Sequence, residues 1–421
     1  MQQEAKTSYF SLKKDFIWIL TGNLYYAATQ YALLIAVTRL TSPETVGRFS
    51  LALAINAPIS LFLSLSLRAV LISDSKNEYS LPVYLSIRIL TSIVSIVVVA
   101  GIVLGGHYSP DLAYPILLIG LVKAVESIAD LIYGIFQKQF RNYQIAISIC
   151  MRGTLSCALC VFILTQTQSL TQMCVGLLGS SMAILFFFDC VKVRDLFHWR
   201  SFRTPSGSSV KKLIALSIPL AFALVFSSLE LNVPRYLVEH RIGLTALGIF
   251  SALSYPLMLG NQIVGALASA ASPHLADLYH QWNLSAFKHL LLKLVLGGSI
   301  VGAGTAFICF QYGTPILSLL KHVEYMQESS AFSVLALAAG ISYVTVFFGA
   351  ALSAMRCFRL KFLLQIFSFA FTGVCAYIAS SHQSVYAMSI AILAGSFFSF
   401  IIQLITFLVR LKKSPSQGLA L

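Results

Sequence analysis

Apolar runs of about twenty residues recur along the whole chain, separated by short polar segments. A helix needs roughly 20 apolar residues to cross a hydrocarbon core about 30 Å thick, so each run has the length of a membrane span. The runs are continuous and do not alternate in dyads, which predicts helices over barrel strands, the two structures that satisfy a backbone in lipid. Twelve spans are expected, near residues 16–38, 49–71, 83–104, 113–136, 144–164, 170–189, 213–236, 246–271, 290–310, 331–354, 362–379 and 385–409. The first run, Phe16 to Val37, exceeds the 7–15 residues of a signal-peptide core and reads as a retained helix. The fold class is therefore an all-α polytopic membrane protein.

Composition narrows the function classes. Of 421 residues, 57% are hydrophobic and 10% charged, against about 25% charged in soluble domains. Twelve spans leave no room for a second domain, which excludes a soluble enzyme, a large ectodomain and a fused ATPase. The chain has no G-x-x-x-x-G-K-[ST], no H-E-x-x-H and no metal-spaced set among its eight histidines. No catalytic residue, metal or cofactor is expected. Cys157 and Cys160 form a C-x-x-C inside a span, with no second pair or nearby His, and read as packing residues.

The formal charge of +14 reads as topology and not as nucleic-acid binding. With the N-terminus inside, twenty Lys and Arg fall in cytoplasmic segments, among them Lys76, Lys138, Arg200, Arg203, Lys288, Arg356 and Lys413. The outer segments hold four, Arg39, Arg48, Arg241 and Lys321. This positive-inside bias places both termini in the cytoplasm.

Residues 190–212 form the longest and most basic connector, with Leu196, Phe197 and Trp199 beside its arginines and a linker-like Thr204-Pro205-Ser206 core. It separates an expected N-terminal six-helix bundle, 1–189, from a C-terminal one, 213–421. Val46-Gly47-Arg48-Phe49-Ser50 recurs as Leu247-Gly248-Ile249-Phe250-Ser251, and Phe140-Arg141 recurs as Phe358-Arg359. Six spans separate each pair, so duplication would relate the halves by an axis along the membrane normal. Pro58 and Pro256 interrupt the second and eighth spans, where such folds place their sites. Gly101-x-x-x-Gly105 and Gly298-x-x-x-Gly302 read as close helix contacts.

Five basic residues, Arg68, Arg88, Lys123, Arg152 and Arg235, lie inside spans and face three acids, Glu126, Asp130 and Glu230. An Arg or Lys at mid-membrane costs about 2.5–3.5 kcal/mol even on the lenient scale, so each demands a partner, water or a function. Lys123, Glu126 and Asp130 share one helix face by i, i+3, i+7 spacing. Arg152 matches Glu126 and Asp130 in depth on the next helix, which predicts an ion pair between them. These acids, Arg152 and Glu230 are read as structural charge pairs or ion-coupling groups. The basic surplus makes Arg39, Arg235, Arg68, Arg88 and Lys123 the candidate substrate contacts.

Segment 42–58, SPETVGRFSLALAINAP, with Leu67-Arg68-Ala69, Asp74, Asn77-Glu78-Tyr79 and Arg88, resembles the polysaccharide flippase family of the MOP exporter superfamily. The resemblance continues through Glu126-Ser127, Gln137, Arg141, Arg152-Gly153, Pro234-Arg235-Tyr236 and Ala271-Ser272-Pro273, and departs from it at Phe140 and His274. It implies two six-helix bundles around a central cavity and alternating access. It also implies a flippase of the bacterial inner membrane that moves a polyprenyl-diphosphate-linked oligosaccharide for lipopolysaccharide, O-antigen or exopolysaccharide synthesis. The implied partners are the lipid-linked oligosaccharide, membrane lipids and a polysaccharide polymerase or export machinery. Arginines suit the diphosphate, because a guanidinium grips phosphate bidentately. Arg39 and Arg235 are expected at quasi-equivalent places near the outer mouth, and Asn23, Tyr25, Tyr26 and Gln30 beside the glycan. The alternatives are a cation-coupled multidrug exporter of the same fold, which should prefer acidic residues, and a membrane enzyme of polysaccharide assembly.

Overall fold

The computed structural model describes residues 2–74, 78–194, 207–320 and 322–412. Lys76, Asn77, Lys321, Lys413 and the 195–206 part of the expected linker lie outside the described residues. The order is α1 (Gln2–Leu40), α2 (Pro43–Leu63), α3 (Leu67–Ser73), α4 (Leu81–Gly105), α5 (Pro110–Lys138), α6 (Asn142–Thr167), α7 (Leu170–Ile184), a π-helical turn (Leu185–Asp189) and α8 (Cys190–Arg194). There follow α9 (Gly207–Arg241), α10 (Leu244–His280), α11 (Leu284–Ser318), α12 (Val323–Gln327), α13 (Ser329–Ala354), α14 (Phe358–Ser380) and α15 (Val385–Lys412).

Ten helical segments among the described residues are long and apolar enough to cross a membrane, with α2–α3 counted as one and α7–α8 as another. Two further long helices, α1 and α5, are not among those ten. Asn23, Tyr25, Tyr26 and Gln30 dilute α1, whereas α5 carries Lys123, Glu126 and Asp130. Those are the helices on which the polar chemistry was expected.

Local sequence sets the helix ends. Ser42 caps α2 by accepting from the Thr45 N–H, with Pro43 in the first turn, and Ser169 accepts likewise from Gln172 at α7; both place a hydroxyl on an otherwise orphaned N–H. Downstream of Pro58 the second span breaks, where Leu65 and Ser66 adopt left-handed φ of 50° and 48°. By contrast, α10 runs unbroken through Pro256 and Pro273. Only the N-terminal member of that proline pair therefore precedes an interruption.

The chain forms two compact units, Met1–Ser228 and Leu229–Leu421, and the division falls inside α9. Leu213 and Ala221 of α9 join the core that Leu67, Leu71, Tyr84 and Leu131 build in the first unit.

Turn geometry repeats between the units. Thr41 N–H donates to Val37 and Val46 N–H to Ser42, and 201 positions later Ile242 donates to Val238 and Leu247 to Gly243. The α5–α6 turn bonds Phe140 N–H to Gln137 and Arg141 N–H to Phe136; the α13–α14 turn bonds Arg356 to Ser353 and Cys357 to Leu352. Phe140 and Arg356 have φ of 54° and 57°. This register is 216, so Phe140 matches Arg356, and the Phe140-Arg141 and Phe358-Arg359 echo is two positions out of register. A third match, Gln168-Ser169 to Met173 against Gln383-Ser384 to Met388, carries the same Met N–H to Ser carbonyl bond at both places.

The two glycine motifs differ. A Cβ on Gly302 would lie 2.7 Å from the Gly340 backbone, and one on Gly298 2.8 Å from Phe347, so α11 and α13 touch closely. Gly101 and Gly105 meet nothing within 4 Å and make no such contact among the described residues.

Candidate functional site: a polar helix face in one unit and a polar cavity in the other

Helix α5 is the polar spine of the first unit. Lys123, Glu126, Ser127, Asp130, Tyr133 and Gln137 recur at three- and four-residue steps and so share one face. In the C-terminal half of α5, Asp130 meets two arginines. Arg68 reaches it at 3.1 Å and Arg88 at 3.8 Å. Arg68 also donates to Gln137 at 2.9 Å, and its stem lies against Gly134, where a Cβ would come within 3.2 Å. Arg88 is 0% exposed and donates to Ser127 at 2.7 Å. It is thus packed away while Arg68, 29% exposed on its side chain, remains reachable.

Further along the face, Lys123 holds Glu126 at 2.8 Å. Glu126 also takes a hydrogen bond from the Tyr26 hydroxyl of α1. Tyr25 is tied to Thr154 of α6 at 2.7 Å, so α1 spends two of its expected glycan-facing tyrosines on contacts within the unit. Gly153 of α6 packs directly on Thr29 and Tyr26.

Arg152 pairs with Asp189 at 3.0 Å, not with Glu126 or Asp130, and Glu126 acts on it only through space. Ser148 donates to the other Asp189 oxygen at 2.6 Å and is itself bonded to Tyr133. Asp189 ends the π-helical turn, whose extra residue per turn rotates the side chain inward. The expected pair with Glu126 or Asp130 is not made, and the partner is a residue assigned to the end of a span.

Just after α3, Asp74 caps the loop before α4. Its carboxylate accepts from the N–H groups of Glu78 and Tyr79 and from the Tyr84 hydroxyl, while Lys138 donates to its carbonyl at 2.7 Å. Partial burial raises the carboxyl's pKa, but those hydrogen bonds and the Lys138 ammonium outweigh it and hold the group below its ordinary value.

In the second unit, residues of α9, α10, α13, α14 and α15 line a partly open cavity of about 430 Å³. Glu230 and Arg235 of α9 line it, with Asn261, Lys361, Gln365 and Gln403 among the polar walls. Glu230 accepts from Gln365. Arg235, 6% exposed, donates to Asn232 at 3.1 Å and lies over the Tyr255 ring at 5.3 Å, with no carboxylate within 4 Å among the described residues. Arg39, by contrast, is exposed in the last turn of α1. In the 201 register Arg39 matches His240 and Arg235 matches Leu34, so the two arginines are not quasi-equivalent. Arg235 sits six residues before the end of its helix, about 9 Å from that end at 1.5 Å per residue.

Residues 12–279 match the polysaccharide biosynthesis protein family. The chain belongs to that family. A capsular polysaccharide biosynthesis protein, CapF, of Staphylococcus aureus is 29% identical over 356 residues, covering 84% of this chain and 88% of its own. A multidrug resistance MATE family transporter of the MOP superfamily, solved facing inward, superposes with a TM-score of 0.76 at 15% identity over 93% of this chain and 94% of its own. A MOP superfamily transporter from Pyrococcus furiosus, described as having a binding pocket of reverse polarity, superposes at 0.67 with 14% identity, over 96% of both chains. The fold is thus that of the MOP superfamily, and the resemblance to its polysaccharide flippases holds.

For a member of the polysaccharide biosynthesis family, the sequence reading singled out charged residues inside the expected spans and passed over Asp189, Lys361 and the neutral cavity residues. All nine candidate site residues lie within the matched segment, whereas Lys361, Gln365 and Gln403 lie beyond it. Asp189 carried a usable signal: it stands 37 residues from Arg152, at the end of an apolar run. The neutral cavity residues gave none, because Ser, Thr and Gln are ordinary in membrane helices.

Proposed function

We propose that this multi-pass membrane protein is a flippase that moves a polyprenyl-diphosphate-linked oligosaccharide across the bacterial inner membrane by alternating access, with both termini cytoplasmic. The observation that carries the reading is the coincidence of a polysaccharide biosynthesis family match with the MOP fold in a chain whose buried helices carry arginines. The headgroup brings negative charge into the bilayer, and guanidinium groups replace its water with charge-assisted bonds. Arg39, Arg68, Lys123 and Arg235 are the substrate contacts, and Arg88, being fully buried, acts by holding Asp130 in place. Glu126 and Glu230 are the candidate ion-coupling carboxylates, while Arg152 is structural. The polymerase or export machinery that receives the flipped unit is the partner class.

Depletion of the protein should trap lipid-linked precursor on the cytoplasmic leaflet. Arg235→Ala and Arg39→Ala at normal protein level should do the same, with Lys partly restoring export, since the fork of an Arg grips phosphate in a way an ammonium does not. Wild-type export by both alanine variants would remove the two residues from the mechanism. A cation-coupled drug exporter would instead leave the precursor untouched on depletion and change drug tolerance.

A further inference from the structure

The 216 register sets the two units' polar faces side by side. Lys123, Glu126 and Asp130 of α5 correspond to Ala339, Ser342 and Val346 of α13. In the first unit that face is ionic, with Lys123 paired to Glu126 and Asp130 paired to Arg68 and Arg88 of neighbouring helices. In the second unit it is neutral, and all three counterparts line the cavity. The same helix face therefore carries paired charges in one unit, and in the other is reduced to two apolar residues and a serine that line a cavity.

The walls of that space offer both kinds of hydrogen-bonding group. The Gln403 Oε1 acceptor and the Thr372 hydroxyl are buried without a hydrogen-bond partner. Buried polar groups are rarely left so, and each costs stability unless something else satisfies it. Arg235 and Lys361 supply donors, and Glu230 supplies an acceptor. A bare cation would serve only the acceptors, and a simple anion only the donors. A polyhydroxylated ring serves both, and Phe250 adds an apolar wall. The volume of about 430 Å³ lies in the range of small-molecule sites, ~300–1,000 Å³.

We propose that this cavity of the C-terminal unit is a saccharide subsite that takes a pyranose ring of the transported glycan. Gln403 Oε1 accepts from a ring hydroxyl, the Thr372 hydroxyl bonds another, and Arg235 donates to ring or hydroxyl oxygens. The inference deepens the flippase reading and rests on it for the source of the sugar.

Saturation-transfer NMR on the full-length protein in nanodiscs tests it, with glucose, galactose, mannose, N-acetylglucosamine and glucuronate as probes, and sodium and inorganic phosphate as controls. At least one sugar should give a saturable signal that neither control abolishes. Gln403→Leu and Thr372→Val should each weaken it by about three- to tenfold, the worth of one hydrogen bond. Thr372→Val is the more telling variant. It removes an unsatisfied buried hydroxyl at constant shape, so it should hold or raise the melting temperature while lowering sugar binding. Asp111→Asn, at an exposed ion pair of the other unit, should leave the signal unchanged. No saturable sugar signal, or one fully displaced by phosphate or sodium, would overturn the proposal. Sugar binding that survives both cavity substitutions would overturn it as well. If sugars fail while the protein still flips precursor, the subsite falls and the flippase stands; if sugars bind but nothing is flipped, the reverse holds.

Discussion

Arg152 and Asp189 are 37 residues apart in the chain and 3.0 Å apart in space, and both side chains are almost completely buried. Ser148 and Tyr133 complete the cluster, so the pair joins α6, α5 and the π-helical turn. Removing one partner leaves a buried charge uncompensated, which costs about 3–5 kcal/mol. Arg152→Ala and Asp189→Ala should each lower folded yield and melting temperature strongly. The double variant Arg152→Gln with Asp189→Asn should be milder than either, since no lone charge remains. Normal yield with lost transport in the single variants would move the pair to the substrate path.

Asp130 serves two arginines of unequal exposure. Arg88 is wholly buried and Arg68 is not, so the same chemical change should have different effects. Arg88→Gln is expected to destabilise by up to about 3–5 kcal/mol, whereas Arg68→Gln should cost little stability and lower transport. Size-exclusion profiles and thermal melts alongside export report the contrast. Equal melting losses would contradict it.

Asp74 makes the α3–α4 loop sensitive to acid. Its carboxyl is held below the ordinary value in the folded protein. The stabilisation is therefore complete above the unfolded pKa of about 4 and is lost as pH falls through the lower folded value. Asp74→Asn should lower the melting temperature at pH 7, and the gap from wild type should close progressively below pH 4. A gap that persists at pH 3 would assign the effect to shape and not to charge.

Fold class and the buried cations were legible because they rest on hydrophobic length and on the cost of charge in lipid, both read residue by residue. Partner choice was not legible. Asp189 faces Arg152 because of a π-helical turn that displaces one residue, and nothing in LFFFD announces such a turn. Duplication was visible at Val46–Ser50 and Leu247–Ser251, but the 216 register emerged only from backbone bonding at Phe140 and Arg356. The 201 register separates Arg39 from Arg235, and the 216 register matches the ionic face of α5 to the neutral face of α13. The cavity itself is built from residues on five helices whose convergence no local pattern encodes.

Topology follows from the basic bias and can be checked at two turns. In a background lacking the eight native cysteines, Gln168→Cys, between α6 and α7, should react with an impermeant thiol reagent added to intact cells. Phe140→Cys, exposed in the turn between α5 and α6, should react only after the membrane is opened. The opposite pattern would invert the protein and place both termini outside.

The central claim is movement of a lipid-linked glycan, and reconstitution tests it most directly. Purified protein in liposomes carrying polyprenyl-diphosphate oligosaccharide in the outer leaflet should render that substrate progressively inaccessible to an external glycan-modifying enzyme. Arg235→Ala of normal fold should slow this at least tenfold, and polyprenyl monophosphate without sugar should not be moved. Transfer at the rate of protein-free liposomes, by well-folded wild-type protein across the range of sodium and proton gradients, would contradict the account.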